Sequence, residues 1–139
     1  MTDAALVAKK LAHIESCVSD LVRLARPDAI DTDVRERRFV EHTLQLAIQA
    51  ALDVASHIVS DRRLGEPRTN RELFGLLQAD GWIDASLASC LRSMAGFRNV
   101  LVHGYDDVDL GVVHDVLDEH LGDLTAFVSA VRTRLAPNS

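Results

Sequence analysis

Apolar residues recur along this chain at helical spacing. Val7, Leu11, Ile14, Val18, Leu21 and Ala25 step by four and three residues, which predicts a helix over about residues 3–26, ended by Pro27. A second stripe runs Val40, Leu44, Ala47, Ala51, Val54 and Ile58, beside a parallel one at Ile48, Leu52, Ala55 and Val59. The helix they predict, about residues 33–61, is apolar over a broad face and is expected to be the most central element. A last helix of about residues 109–135 carries Leu117, Leu121, Leu124, Val128, Val131 and Leu135. Between them, Thr69 followed by Glu72 has the form of a capping box and opens a short helix through Leu73, Phe74, Leu76 and Leu77. That helix stops at Asp80-Gly81. Asp84 then caps a fourth helix carrying Leu87, Leu91 and Met94 and running past Phe97, while Leu64-Gly65-Glu66-Pro67 reverses the chain. The pattern predicts one all-α domain over residues 1–139, an up-and-down bundle of about five helices.

Composition agrees with that pattern. Apolar residues make up 47% of the chain and aromatics only 4%, so the core must be built from Leu, Val, Ile and Ala, which suits helix-on-helix packing. No apolar run approaches the roughly 18 residues of a membrane span, and the N-terminus lacks a signal-peptide pattern. Cys17 and Cys90 form no metal-like cluster along the chain and are expected as reduced thiols in a cytoplasmic protein. The net charge of −6 argues against a generic nucleic-acid coat. Its distribution is uneven: seven acidic residues and no Lys or Arg lie between Asp106 and Asp123. The remainder is nearly balanced, with arginines grouped at Arg35-Arg37-Arg38 and Arg62-Arg63-Arg68-Arg71. Such groups fit either phosphate contacts or solvated helix faces with surface ion pairs.

Candidate chemistry concentrates in Met94-Ala95-Gly96-Phe97-Arg98-Asn99-Val100-Leu101-Val102-His103-Gly104-Tyr105. An arginine followed five residues later by a histidine carries no weight alone, since Arg37 and His42 match too. Adding tyrosine at the seventh residue leaves only Arg98, His103 and Tyr105, the last being the sole tyrosine in the chain. On a continuous helix Asn99 and His103 are four residues apart and share a face, so the amide is placed to orient the imidazole. Gly104 offers a helix break that lets Tyr105 swing back toward the same site. Arginine stays charged and can clamp phosphate oxygens, and histidine, titrating near ~6.5, can serve as acid or base.

In these residues the chain resembles the HEPN superfamily, and within it the HepT-type ribonuclease toxins, whose hallmark is Arg, four residues, His, one residue, Tyr. Arg98, His103 and Tyr105 reproduce it in order and spacing, and Asn99 matches the polar residue after the arginine. The resemblance extends through residues 39–50, 69–74 and 94–99, and covers roughly residues 5–135. It implies a metal-independent endoribonuclease with no cofactor, working as a homodimer that builds its site across the subunit cleft. It also implies a toxin–antitoxin pairing in which an MntA-like nucleotidyltransferase transfers adenylate to the motif tyrosine, here Tyr105. Arg98, His103 and Asn99 would be the catalytic residues. The dimer agrees with the chemistry, because one histidine cannot comfortably be acid and base in the same step.

Competing readings attach to the same residues. Arg98 and His103 at a helix C-terminus can simply satisfy backbone carbonyls, and Tyr105 can be a core aromatic. His42 and His57 read as core-edge residues, and His114 and His120 as surface or packing residues without metal-ligand spacing. The chain has no phosphate-cradling Gly-rich loop and is therefore not itself a nucleotidyltransferase. Trp82 after Gly81 anchors an interface or packs locally. A catalytically inactive HEPN subunit that positions substrate for a nucleotidyltransferase is the alternative function, and a purely structural helical scaffold the third.

Overall fold

The computed structural model describes residues 3–104 and 108–136. Helix α1 spans Ala4–Leu24, α2 Val34–Asp61, α3 Asn70–Ala79 and α4 Ala85–His103. The C-terminal rod is α5, Leu110–Asp115, then a single π turn, Val116–His120, then α6, Leu121–Leu135. Counting that rod once gives the five expected helices, with no strand among the described residues. The π turn is unanticipated: a 3.6-residue stripe continues through it, whereas the backbone admits one extra residue per turn there.

Helix starts follow short-range chemistry. The carboxylates of Asp3, Asp33, Asp84 and Asp109 each accept a backbone N–H from the first turn of the helix they precede, satisfying donors the helix cannot. Thr69 is the exception. It stands at the N-cap of α3, but its hydroxyl makes no capping bond, and Glu72 accepts instead from the Arg68 backbone N–H. Half of the expected capping box therefore forms, displaced by one residue.

Helix α2 is central as expected, packing against α1, α3, α4 and α6. Val40, Leu44, Ala47, Ala51, Ile58 and their neighbours are almost completely shielded. Phe74 of α3 meets Phe127 of α6 edge to face, at 5.9 Å and 87°, closing the far side of the core. The link between α1 and α2 is tied down by α2 itself. Buried Glu36 accepts the Arg26 backbone N–H at 2.8 Å, and Arg37 donates to the carbonyls of Ile30 and Asp31 at 3.2 Å each. His57 accepts the Asp3 backbone N–H at 3.0 Å and so fixes the start of α1. Trp82 packs locally, 3% exposed, with its indole N–H donating to Asp80 and the guanidiniums of Arg62 and Arg134 5.3 and 4.8 Å from its ring centre. Arg37 and Arg62 thus have structural duties, which narrows the arginines left for a ligand.

Two helices end in the same six-residue motif. After α3, the Trp82 N–H reaches the Leu77 carbonyl and the Gly81 N–H the Gln78 carbonyl, with Gly81 at φ +81°. After α2, Leu64 bonds to Val59 and Arg63 to Ser60, but the left-handed position is Arg63, at φ +53°. A side chain is disfavoured there by its Cβ. Arg63→Gly is expected to raise stability by about 0.5–1 kcal/mol in urea unfolding, because the local strain exceeds glycine's added chain entropy.

Candidate active site

Helix α4 positions the motif. Its buried face, Ala88, Leu91, Met94, Ala95 and Leu101, seats it against the core. Its last turn then projects from that seat, with Asn99, Val100 and His103 exposed and Arg98 half-buried. The helix stops at His103, and Gly104 closes it with a 2.8 Å bond from its N–H to the Val100 carbonyl. Gly104 does this at φ −120°, so the expected break occurs without a left-handed residue. Tyr105, which sequence reasoning places beside His103, lies outside the described residues, as do Asp106 and Asp107.

Asn99 is brought to Arg98. The Arg98 Nη1 donates to the Asn99 Oδ1 at 3.2 Å, so the amide is engaged with the guanidinium next to it, where the helical spacing anticipated the imidazole. A cation whose positive planar end is already hydrogen-bonded to a neutral amide keeps its full charge. More telling is Nε of Arg98, which is shielded from solvent and has no acceptor among the described residues. A shielded N–H on a guanidinium without an acceptor is costly, and an anionic oxygen would relieve it. Arg98 and His103 are five residues apart, about 140° around the helix axis, so the long arginine side chain must reach round to share a ligand with the imidazole.

The packing adds residues that spacing along the chain could not find. A groove of about 460 Å³ runs beside α2, lined by Arg38, Phe39, Glu41, His42 and Gln45, and meets α4 at Leu101. Leu101 lies between Arg98 and His103 in sequence. His42 is thereby exposed on a groove wall, where a core-edge position was expected. The only sequence signal was the Arg37–His42 spacing, which looks accidental without a tyrosine. Arg38 and His42 give the groove cationic and titratable groups suited to a polyanion. Glu41 is the opposing element. Burial pushes its carboxyl above the usual range, although the charges of Arg37 and Arg38 pull the other way.

With this geometry, comparison with known proteins is specific. The family profile described as Ribonuclease HepT-like matches residues 11–131. The mRNA nuclease HepT of Shewanella oneidensis is 29% identical over 128 residues, 91% of this chain and 96% of that protein. The tRNA nuclease HepT of Aphanizomenon flos-aquae is 33% identical over 100 residues, 72% and 68% of the two chains. Among solved structures, the tri-AMPylated Shewanella oneidensis HEPN toxin in complex with MNT antitoxin superposes with a TM-score of 0.86 at 29% identity, covering 96% of this chain and 99% of that one. The cytosolic protein YutE of Bacillus subtilis, 17% identical with a TM-score of 0.86, shares the fold.

The raised carboxyl of Glu41 has a definite sign. Its charged form is disfavoured by folding, so the penalty is fully present above the folded-state pKa and fades as pH falls through it toward the unfolded value. Glu41→Gln is therefore expected to melt at a higher temperature than the parent at neutral pH, and the gap should close in mildly acidic buffer.

Proposed function

This chain belongs to the HepT-like ribonuclease family, and on that premise we propose how its own residues cleave RNA and how the activity is silenced. The protein is an endoribonuclease, the toxin of a toxin–antitoxin pair. The observation that carries the assignment of its site is Arg98, whose shielded Nε has no acceptor among the described residues and which lies about one and a half helical turns from an exposed histidine.

An RNA phosphate supplies that acceptor. Arg98 holds a non-bridging oxygen and stabilises the charge that builds as the 2′-hydroxyl adds to phosphorus. Asn99 holds the guanidinium through Nη1, and no other hydrogen bond of the fork is made among the described residues. His103 moves the proton: as base it takes it from the 2′-hydroxyl, and as acid it gives one to the departing 5′-oxygen. The products are a 2′,3′-cyclic phosphate and a 5′-hydroxyl end. Proton transfer and charge stabilisation both come from side chains, so cleavage is metal-independent. One imidazole cannot hold both protonation states at once, and a homodimer joining two copies of His103 resolves this. Val100 on α4 and Leu46 on α2, exposed on the two helices that border the groove, give such a contact apolar area.

The partner is an MntA-like nucleotidyltransferase antitoxin that transfers adenylate to Tyr105. The phenolic oxygen bonds to the α-phosphorus of a nucleoside triphosphate and pyrophosphate leaves. Each adenylate puts a negative charge two residues from His103, where it competes with RNA for Arg98 and repels the backbone of the substrate. No described helix is long and apolar enough to cross a membrane. An RNA substrate and a nucleotidyltransferase partner support a cytoplasmic site of action.

His103→Ala and Arg98→Ala are each expected to slow RNA cleavage, measured in excess chelator, by about 10²–10⁴-fold. His103 is exposed, so its loss should leave helicity and melting unchanged. Activity lost only together with the fold would mean that these residues are structural. Full activity of both variants would leave an inactive binding subunit as the better reading.

Co-expression with the nucleotidyltransferase is expected to add adenylate increments to the intact mass, mapped to Tyr105. Tyr105→Phe should show none and should escape neutralisation. A Tyr105→Phe enzyme that is active alone yet fully silenced by its partner would instead establish neutralisation by occlusion.

A further inference from the structure

Away from Arg98 and His103, three side chains converge from two elements, α4 and the C-terminal rod. Cys90 lies on α4, His120 is the last residue of the π turn, and Asp123 is in the first turn of α6. One ligand atom from each, a sulfur, a ring nitrogen and a carboxylate oxygen, lies within 4.8 Å of the other two. All three residues are half-buried. Nδ1 of His120 is 2.9 Å from the Asp123 carboxylate, and Nε2 is 3.4 Å from that of Asp115. Cys90, Asp115 and His120 also line a cavity of about 290 Å³ together with Ser93, Met94 and Phe97.

An imidazolium between two carboxylates accounts for His120, Asp115 and Asp123, and leaves the Cys90 thiol only a weak hydrogen bond to Asp123. A metal ion engages all four residues at once. Nitrogen, thiolate and carboxylate together are the donor set of a borderline-soft divalent ion, bound at about 2.0–2.3 Å to each ligand. At those bond lengths the donors of a tetrahedral site stand about 3.3–3.8 Å apart, so small side-chain rotations close the observed spacing. Nδ1 is the nitrogen turned toward Asp123, which leaves the Nε2–H to donate to Asp115. A carboxylate behind a ligating histidine is the usual way its ring is oriented and its basicity raised. The π turn belongs to the same arrangement. A π turn stacks residues four to five apart, which brings Asp115 beside His120, while His120 and Asp123 share a face at i,i+3.

We propose that Cys90, His120 and Asp123 form a binding site for a divalent ion of the zinc and cobalt class, with Asp115 orienting His120 and a fourth position open to the adjoining cavity. Binding displaces the thiol proton of Cys90 to solvent and ties α4 to the C-terminal rod. Cys90 precedes Arg98 by eight residues, about 12 Å along the helix, so the ion stands apart from the cleavage chemistry and instead steadies the helix that carries it.

Cobalt(II) titrated into the reduced, metal-stripped full chain provides the test. One equivalent is expected to produce a thiolate-to-cobalt charge-transfer band in the near ultraviolet with tetrahedral ligand-field bands in the visible, both displaced by zinc. Zinc should also raise the melting temperature. Cys90→Ser is expected to lose the charge-transfer band, His120→Ala to bind cobalt at least tenfold more weakly, and Cys17→Ser and His103→Ala to match the parent. Circular dichroism establishes that each variant is folded. The proposal is overturned if the parent gives no charge-transfer band, or if the band survives Cys90→Ser.

Discussion

Helix α2 cannot meet water over most of its circumference. Its buried residues, from Val40 to Val59, are too widely spread around the axis for one neighbour to cover, so the helix must be wrapped by α1, α3, α4 and α6. Everything functional inherits its position from that requirement. Helix α4 is held by the face it turns toward α2, and its last turn, around buried Leu101, exposes Asn99, Val100 and His103. The same seat exposes Arg38 and His42 of α2 alongside it. The broad apolar face of α2 is thus spent on the core, and its polar edge is where side chains can be held without competing for burial.

How much of this was legible along the chain depends on the range of the interaction. The stripes on α1, α2 and the C-terminal rod are local properties of a 3.6-residue period, and these elements fall within a residue or two of the expected bounds, the rod being interrupted by its π turn. Asp84 caps α4 because an Asx side chain and the N–H three residues on are neighbours in any such turn. The Thr69 cap failed for an equally local reason: the Glu72 N–H, which its hydroxyl would accept, goes to the Thr69 backbone carbonyl at 3.2 Å. The spacing of Arg98, His103 and Tyr105 could be read directly, and it led to the family. The partner of Asn99 could not, since both Arg98 and His103 lie within its reach and only rotamer packing decides between them.

Features made by tertiary contact left no trace in the order of residues. The groove on α2 exists because α4 stops beside it, and the apolar period of α2 does not distinguish His42 from His57. Yet one lines the groove and the other fixes the start of α1. Cys90 and His120 are thirty residues apart, and the π turn that ends at His120 is not announced by a helical period. The arginine groups show the converse. Arg37 and Arg62 sit in clusters that look like anion grips, but loop carbonyls and an indole ring occupy them. Charge density along a sequence overstates the charge a ligand will meet.

The clasp around Trp82 has an optical consequence. It is the only tryptophan in the chain, so all indole emission comes from a ring held between guanidiniums that α2's C-cap and the last turn of α6 supply. Those two arginines are separated by most of the second half of the sequence, and they meet only while the C-terminal rod is docked. Intensity and wavelength of that single emitter therefore report one event, the seating of the rod's end against the corner where α3 turns into α4. The molecule carries its own gauge of whether the bundle is closed, readable at equilibrium and in stopped-flow traces without attaching a dye.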